Sequence, residues 1–202
     1  MKILLTAFDA FGGETINPAL KAVSLVKAPE GVELVKLEVP TVFGKSVDIV
    51  AAVMERERPD AVVCIGQAGG RSAVTPERVA INLMDAGIAD NEGNIPVDLP
   101  VVPGGENALF STLPVKAMVS AIQAAGIPAQ LSCSAGTFVC NQLLYGVLNL
   151  CKEELPNTLA GFIHVPFLPE QTADRPQMPS LPLASLVTAL EAALSCIAGQ
   201  AR

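Results

Sequence analysis

The 202-residue chain has no tryptophan, one tyrosine and one histidine, His164. A lone histidine excludes any metal site built from several imidazoles, and chemistry that needs an imidazole must use this one. Basic residues are also few: 13 Lys and Arg stand against 20 Asp and Glu, for a formal net charge of −7 and a pI near 4.7. Phosphate backbones are bound by clustered cations. The only close basic pair, Arg56 and Arg58, is interleaved with Glu55 and Glu57 and reads as a solvated helix face, so nucleic acid is excluded as a partner. No apolar run approaches the roughly 18 residues of a membrane helix, and no membrane partner is expected. The first run, 3–8, stops at Asp9 and is too short for the core of a signal peptide. No Cys-x-x-Cys pair occurs. Five cysteines (64, 133, 140, 151 and 196) are an odd number, read as reduced thiols of a cytoplasmic protein. Neither FGGE nor GQAGGR matches a P-loop or a dinucleotide fingerprint, so no cofactor and no metal is expected.

What the chain has is apolar surface. Half of its residues are apolar and the mean hydropathy is +0.46, which excludes disorder. A chain of this length buries about 70% of the surface it exposes unfolded, enough for one domain over 1–202. Sixteen Gly and sixteen Pro follow no period and mark a loop-rich fold.

Short apolar runs alternate with amphipathic ones of helical length. Strands are predicted at 2–8, 32–40, 61–66, 77–84, 129–134 and 159–168, and helices at 17–27, 44–58, 113–126, 139–154 and 183–199. Asn17 and Pro18 form a helix start, and Gly126 a helix stop. Residues 85–107, with four Gly and three Pro, read as a long functional or contact loop. The run at 61–66 is apolar on both faces, as in a parallel sheet covered by helices. The pattern predicts an α/β fold, a three-layer α/β/α sandwich with a mostly parallel mixed sheet.

Ligands of such sheets gather at the C-terminal ends of strands. In SCSAGTFVCNQ a strand is expected to end at Ser134 and Thr137 to cap the next helix. Cys140 then falls in the first helical turn, where the dipole and free N–H groups favour a thiolate and offer an oxyanion hole. A thiolate needs an imidazole, and His164 lies on the apolar strand GFIHVPFL. That imidazole in turn needs a carboxylate. Glu77, at the start of an apolar strand in VTPERVAIN, is the candidate, with an ordinary ion pair to Arg71 or Arg78 as the alternative. From the residues alone, a Cys–His–Glu peptidase, an acyl transferase and a weak phosphate-binding site all stay open.

The segments FDAFGGETINP, PTVFG, IGQAGGR, TPERVAIN, DNEGNIPVD, SAGTFVCN and GFIHVPFLPEQ narrow the choice. In this order and spacing, over essentially 1–195, the chain resembles the pyroglutamyl peptidase I family, cysteine peptidases that remove N-terminal pyroglutamate from peptides. The resemblance implies that Cys140 is the nucleophile, His164 the general base and acid, and Glu77 the residue that orients it. It implies a ring pocket at Phe8, Phe11 and Phe138 with lining from Asn17, Thr41, Gln67 and Val139, and a homo-oligomer, tetramer or dimer. A small neutral lactam suits apolar walls with an amide-reading edge. The chain departs from the family pattern at Ala7 and Ala10 in the first turn, in the Gly-rich VVPGGENALF, and at Gly87, where the family commonly has Arg. Two other readings keep the fold: a weakened or inactive member that binds pyroglutamyl-like ligands, and another hydrolase or a nucleoside phosphorylase on a related sandwich.

Overall fold

The computed structural model describes residues 1–200. In chain order the strands are β1 (Lys2–Phe8), β2 (Glu33–Val39), β3 (Ala61–Gln67), β4 (Thr75–Glu77), β5 (Val79–Ile81), β6 (Ala108–Phe110) and β7 (Leu159–Val165). The helices are α1 (Pro18–Leu25), α2 (Lys45–Glu57), α3 (Val115–Ala124), α4 (Val139–Glu154) and α5 (Leu183–Gln200). The main sheet has the order β2-β1-β3-β7-β4. Its first four strands run parallel, and β4 joins the β7 edge antiparallel. This is the expected mixed, mostly parallel α/β arrangement.

The apolar runs take the buried places. β3 lies between two parallel neighbours and is buried at every residue, whereas the edge strand β2 exposes Glu33, Lys36 and Glu38. Side chains of alternating parity form two cores. Leu5, Val63, Ile65 and Ile163 pack against α1, α3 and α5 on one face; Leu4, Val62, Cys64 and Phe162 pack against α2 and α4 on the other. α4 is buried without a break from Val139 to Leu148, and α2 packs so close that a Cβ on Gly146 would lie 2.8 Å from Val47. α1 starts as its sequence predicts: Asn17 Oδ1 accepts the Ala19 N–H at 2.9 Å and Pro18 takes the first helical position.

Two predicted strands are corrected. The run 77–84 is divided between two sheets, since β4 belongs to the main sheet and β5 pairs antiparallel with β6, a strand the sequence pattern missed. Arg78 makes the hand-over: its N–H bonds Ser132 and its carbonyl accepts from Ser111. The segment 129–134 is not a strand. It touches the β4 edge at two isolated bridges, Val74–Ala129 and Glu77–Ser132. Between them the ladder would need the N–H of residue 76, and Pro76 has none.

Candidate active site

Three elements converge at the C-terminal end of the parallel strands. β7 carries His164, and β4 beside it carries Glu77 on its last residue. α4 brings Cys140 as its second residue. The chain reaches α4 through a turn in which Gly136 adopts φ +78°, a conformation that disfavours a side chain. Thr137 does not cap α4. Its hydroxyl donates to the Asp85 carbonyl, Phe138 holds the cap position, and the first intrahelical bond runs from Gln142 to Phe138. The N–H groups of Val139, Cys140 and Asn141 precede that bond and have no helical acceptor. Asn141 pins this turn from the other side: its side chain accepts from Ile81 N–H and donates to the Ile81 and Leu83 carbonyls.

Glu77 Oε1 lies 2.7 Å from His164 Nδ1, with Glu77 fully buried and His164 only 3% exposed. Burial acts to push the Glu77 carboxyl up. Contacts with His164 and Arg71, the imidazole foremost, outweigh it and hold the group below its ordinary value. The buried carboxylate is therefore ionised, Nδ1 carries the proton, and Nε2 keeps a lone pair. Burial also holds the imidazole below its ordinary value, against the pull of Glu77, so the ring is neutral at pH 7. The pair is a carboxylate and a neutral base.

The sulfur differs from the expectation. Burial pushes the Cys140 thiol up to about 12, with the charge of Glu77 adding to it and Arg71 opposing. Desolvation of a group only 8% exposed outweighs the helix start and favours the thiol over the thiolate. It packs against Gly66, whose β3 position pairs in register with His164: a Cβ on Gly66 would lie 3.1 Å from Cys140 Sγ and 2.7 Å from the Phe162 ring. Among the described residues no hydrogen bond joins the sulfur to the imidazole.

An aromatic wall gathers at Phe138, the residue that caps the helix carrying Cys140. Phe11 and Phe138 have ring centroids 6.0 Å apart, and Phe43 meets Phe138 edge-on at 5.3 Å. All three are half-buried, while Phe8 is buried and packs on Phe162 at 6.3 Å. Phe43 was missed as a candidate although it stands in the segment PTVFG. Asn17 and Thr41 lie together around Asp9. Asn17 Nδ2 and the Thr41 hydroxyl both donate to the Asp9 carbonyl, and Thr41 N–H donates to the Asp9 carboxylate. Their polar atoms hold the turn that carries Phe11. Gln67 ends β3 and accepts from Gln171 Nε2 at 3.0 Å, and Val139 is buried in the α2/α4 core. Gly87 is exposed, with open space where a side chain would begin. Among the described residues no group of three His, Cys, Asp or Glu is placed to hold a metal ion.

The family model described as pyroglutamyl peptidase matches residues 1–200. This chain belongs to the pyroglutamyl peptidase family. A pyrrolidone-carboxylate peptidase of Streptococcus pyogenes is 54% identical over 198 residues, covering 98% of this chain and 92% of the relative. One from Clostridium botulinum is 54% identical over 192 residues, 95% and 90% of the two chains. Among solved structures, pyroglutamyl peptidase I from Bacillus amyloliquefaciens superposes with a TM-score of 0.94 at 48% identity, covering 98% of this chain and 94% of that one. A mutant pyrrolidone carboxyl peptidase of Pyrococcus furiosus gives 0.95 at 37% identity, with complete coverage of both. The family match spans every strand and helix that carries Cys140, His164 or Glu77.

Proposed function

We propose that Cys140, His164 and Glu77 carry out the reaction of this family, the hydrolytic removal of an N-terminal pyroglutamyl residue from peptides. The observation that supports these roles is the buried 2.7 Å contact of Glu77 with His164 Nδ1, which fixes the tautomer a general base needs. The lactam ring lies against the half-buried Phe11, Phe43 and Phe138; Phe8, which the sequence placed in this pocket, is buried against Phe162 and has no surface to offer it. Asn17 and Thr41 hold the Phe11 turn, and Gln67 and Val139 shape the strand and helix ends beside it.

Both partners start neutral, so proton transfer and attack are coupled. His164 Nε2 takes the thiol proton as Cys140 Sγ bonds to the pyroglutamyl carbonyl carbon. The carbonyl π electrons move onto oxygen, which the free N–H groups of the first α4 turn receive. Glu77 stabilises the imidazolium. That proton then passes to the departing amine as the C–N bond breaks, leaving a thioester on Cys140. Water attacks the thioester with His164 as base, and the thiol returns as pyroglutamate leaves. None of these steps needs a cofactor or metal. The enzyme is proposed to act in the cytoplasm as a homo-oligomer, tetramer or dimer. The exposed Ile88, Ile95, Val97 and Leu99 of the 85–107 loop offer contact surface.

Hydrolysis of a pyroglutamyl-naphthylamide tests the assignment. Cys140→Ser is expected to lower kcat by at least about 10⁴-fold, in the range that removal of a nucleophile costs other triads. Retained hydrolysis by that variant overturns it.

A further inference from the structure

Arg71 follows β3 in a tight turn, with its N–H on the Ala68 carbonyl. Its side chain is 27% exposed and its guanidinium reaches three partners. One nitrogen donates both to the Thr75 hydroxyl and to Glu77 Oε1, the latter at 2.6 Å; the other donates to the Ser134 carbonyl at 3.0 Å. Thr75 and Glu77 lie on β4, and Ser134 lies in the segment that leads into α4. One planar cation thus spans the carboxylate of the proposed triad and the loop that delivers the nucleophile.

The contact with Glu77 has a particular form. Arg71 and His164 share the single oxygen Oε1, while the buried Oε2 has no hydrogen-bond partner. The carboxylate charge that steadies His164 is therefore divided with a guanidinium. The titratable and charged groups around the ring are Glu77 from β4, Arg71 from the turn after β3, and Cys140 from α4 across Gly66.

We propose that Arg71 is a positioning residue of the reaction: it locks Glu77, His164 and the Ser134 end of the nucleophile loop into one frame and keeps the base neutral by offsetting part of the Glu77 charge. The proposal rests on the assignment of Cys140, His164 and Glu77 made above. Arg71 reaches the imidazole only through Glu77 Oε1, on the Nδ1 side, and its side-chain partners are Thr75, Glu77 and Ser134. Its loss acts on the chemical step rather than on substrate binding. The directions agree: Arg71 draws the His164 value down and opposes the rise of the Cys140 thiol.

A cleft of about 390 Å³, lined by Arg71, Thr75, Gln130 and Leu131 to Ser134, opens onto the guanidinium. It admits a small cation in place of the side chain and so gives the test. Arg71→Ala is expected to lower kcat about a hundredfold, within the range for positioned acid–base groups, with KM changed by less than about threefold. The acid limb of its pH–rate profile is expected to move to higher pH, because an undivided Glu77 charge holds a proton on His164 more firmly. Added guanidinium restores at least about a tenth of the lost kcat, whereas ammonium, with no planar fork, does not. Arg71→Lys returns the acid limb toward the wild-type position but only part of the rate. Wild-type kcat in Arg71→Ala overturns the proposal. So does a loss with an unmoved acid limb and no response to guanidinium, which is the signature of fold support alone. Cys140→Ser, assayed alongside, separates the two readings: if it alone stays active, the nucleophile assignment is at fault and not the role of Arg71.

Discussion

Cys64 and Cys140 lie in the same apolar core on one face of the sheet, and burial pushes both thiols up to about 12. Their surroundings differ in every other respect. Cys64 sits mid-strand on β3, fully buried, with Thr6 opposite it in register on β1 and Cys151 acting on it. Cys140 sits at the end of a helix whose first N–H groups are unpaired, beside the strand position that pairs with His164, with Glu77 and Arg71 acting on it. The lowered thiol value often sought in a reactive cysteine does not distinguish the two in the ligand-free chain. On the roles proposed above, what distinguishes them is a base with a fixed lone pair on the neighbouring strand and a set of free donors to receive an oxyanion. Loss of the Cys140 sulfur is therefore expected to abolish turnover, while Cys64→Ser is expected to cost about 1–3 kcal/mol of stability by burying a hydroxyl and to leave kcat near wild type. Comparable loss of kcat in the two serine variants would erase the contrast.

Gly66→Ala should move the Cys140 region toward the behaviour of the Cys64 region. Its Cβ would stand 2.7 Å from Phe162 and 3.1 Å from Cys140 Sγ, and a packed ring cannot yield so far without displacing the sulfur. Displacement of a nucleophile by about 1 Å costs on the order of a hundredfold. We expect a kcat loss of that size with a stability loss of about 1–3 kcal/mol. Unchanged kcat would mean that the sulfur does not work from this position.

Alkylation sharpens the comparison at lower amplitude. With iodoacetamide near neutral pH, the exposed Cys133 and the half-buried Cys196 should label first, Cys140 next, and Cys64 at least about tenfold more slowly than Cys140 for want of access. Mass mapping of the labelled peptides reads the order. Cys64 labelling ahead of Cys140 would contradict the geometry.

Much of this arrangement was legible before any coordinates, and the failures share a cause. The runs KILLTAF and AVVCIG announce buried parallel strands through continuous apolar character, and Asn17-Pro18 announces a helix through chemistry confined to three residues. The pairing of Glu77 with His164 was legible because only one histidine exists and because a carboxylate in an apolar strand needs a partner. Glu77 met both partners considered for it in the sequence reading, the imidazole and Arg71, on one oxygen. The errors arose wherever the partner of a segment decides its state. Residues 129–134 alternate like a strand, but the missing N–H of Pro76 on the neighbouring edge breaks the ladder. The run 77–84 reads as one strand, yet Arg78 gives its backbone bonds to two other segments. Thr137 has the composition of a cap but spends its hydroxyl on Asp85. The protonation state of Cys140 was misjudged for the same reason: helix position is local, and the desolvation that overrides it comes from elements distant in sequence.

The smallest effect is also the most quantitative. Three buried thiols, Cys64 and Cys140 at about 12 and Cys151 at about 11, hold their protons in the fold and release them in the unfolded chain near pH 8.5. Above that value the unfolded state binds fewer protons than the native one, so stability falls as pH rises, by about 1.4 kcal/mol per pH unit for each thiol. The loss begins near pH 8.5 and ends as each native value is passed. His164 and Glu77, both held below their ordinary values, work on the opposite side. Their contribution is complete above the unfolded values and is lost as pH falls, through about 6.5 for the imidazole and then about 4.3 for the carboxylate. Denaturant unfolding at pH 8.5, 9.5 and 10.5 should give a steep decline for wild type, and Cys64→Ala should reduce the slope by about 1.4 kcal/mol per pH unit. Cys140→Ala should reduce it by the same amount, because both thiols are raised to about 12 in the resting chain. An unchanged slope in Cys140→Ala, with the full reduction in Cys64→Ala, would mean that the native Cys140 thiol titrates no higher than in the unfolded chain, and the contrast between burial and helix start would be decided for the helix start.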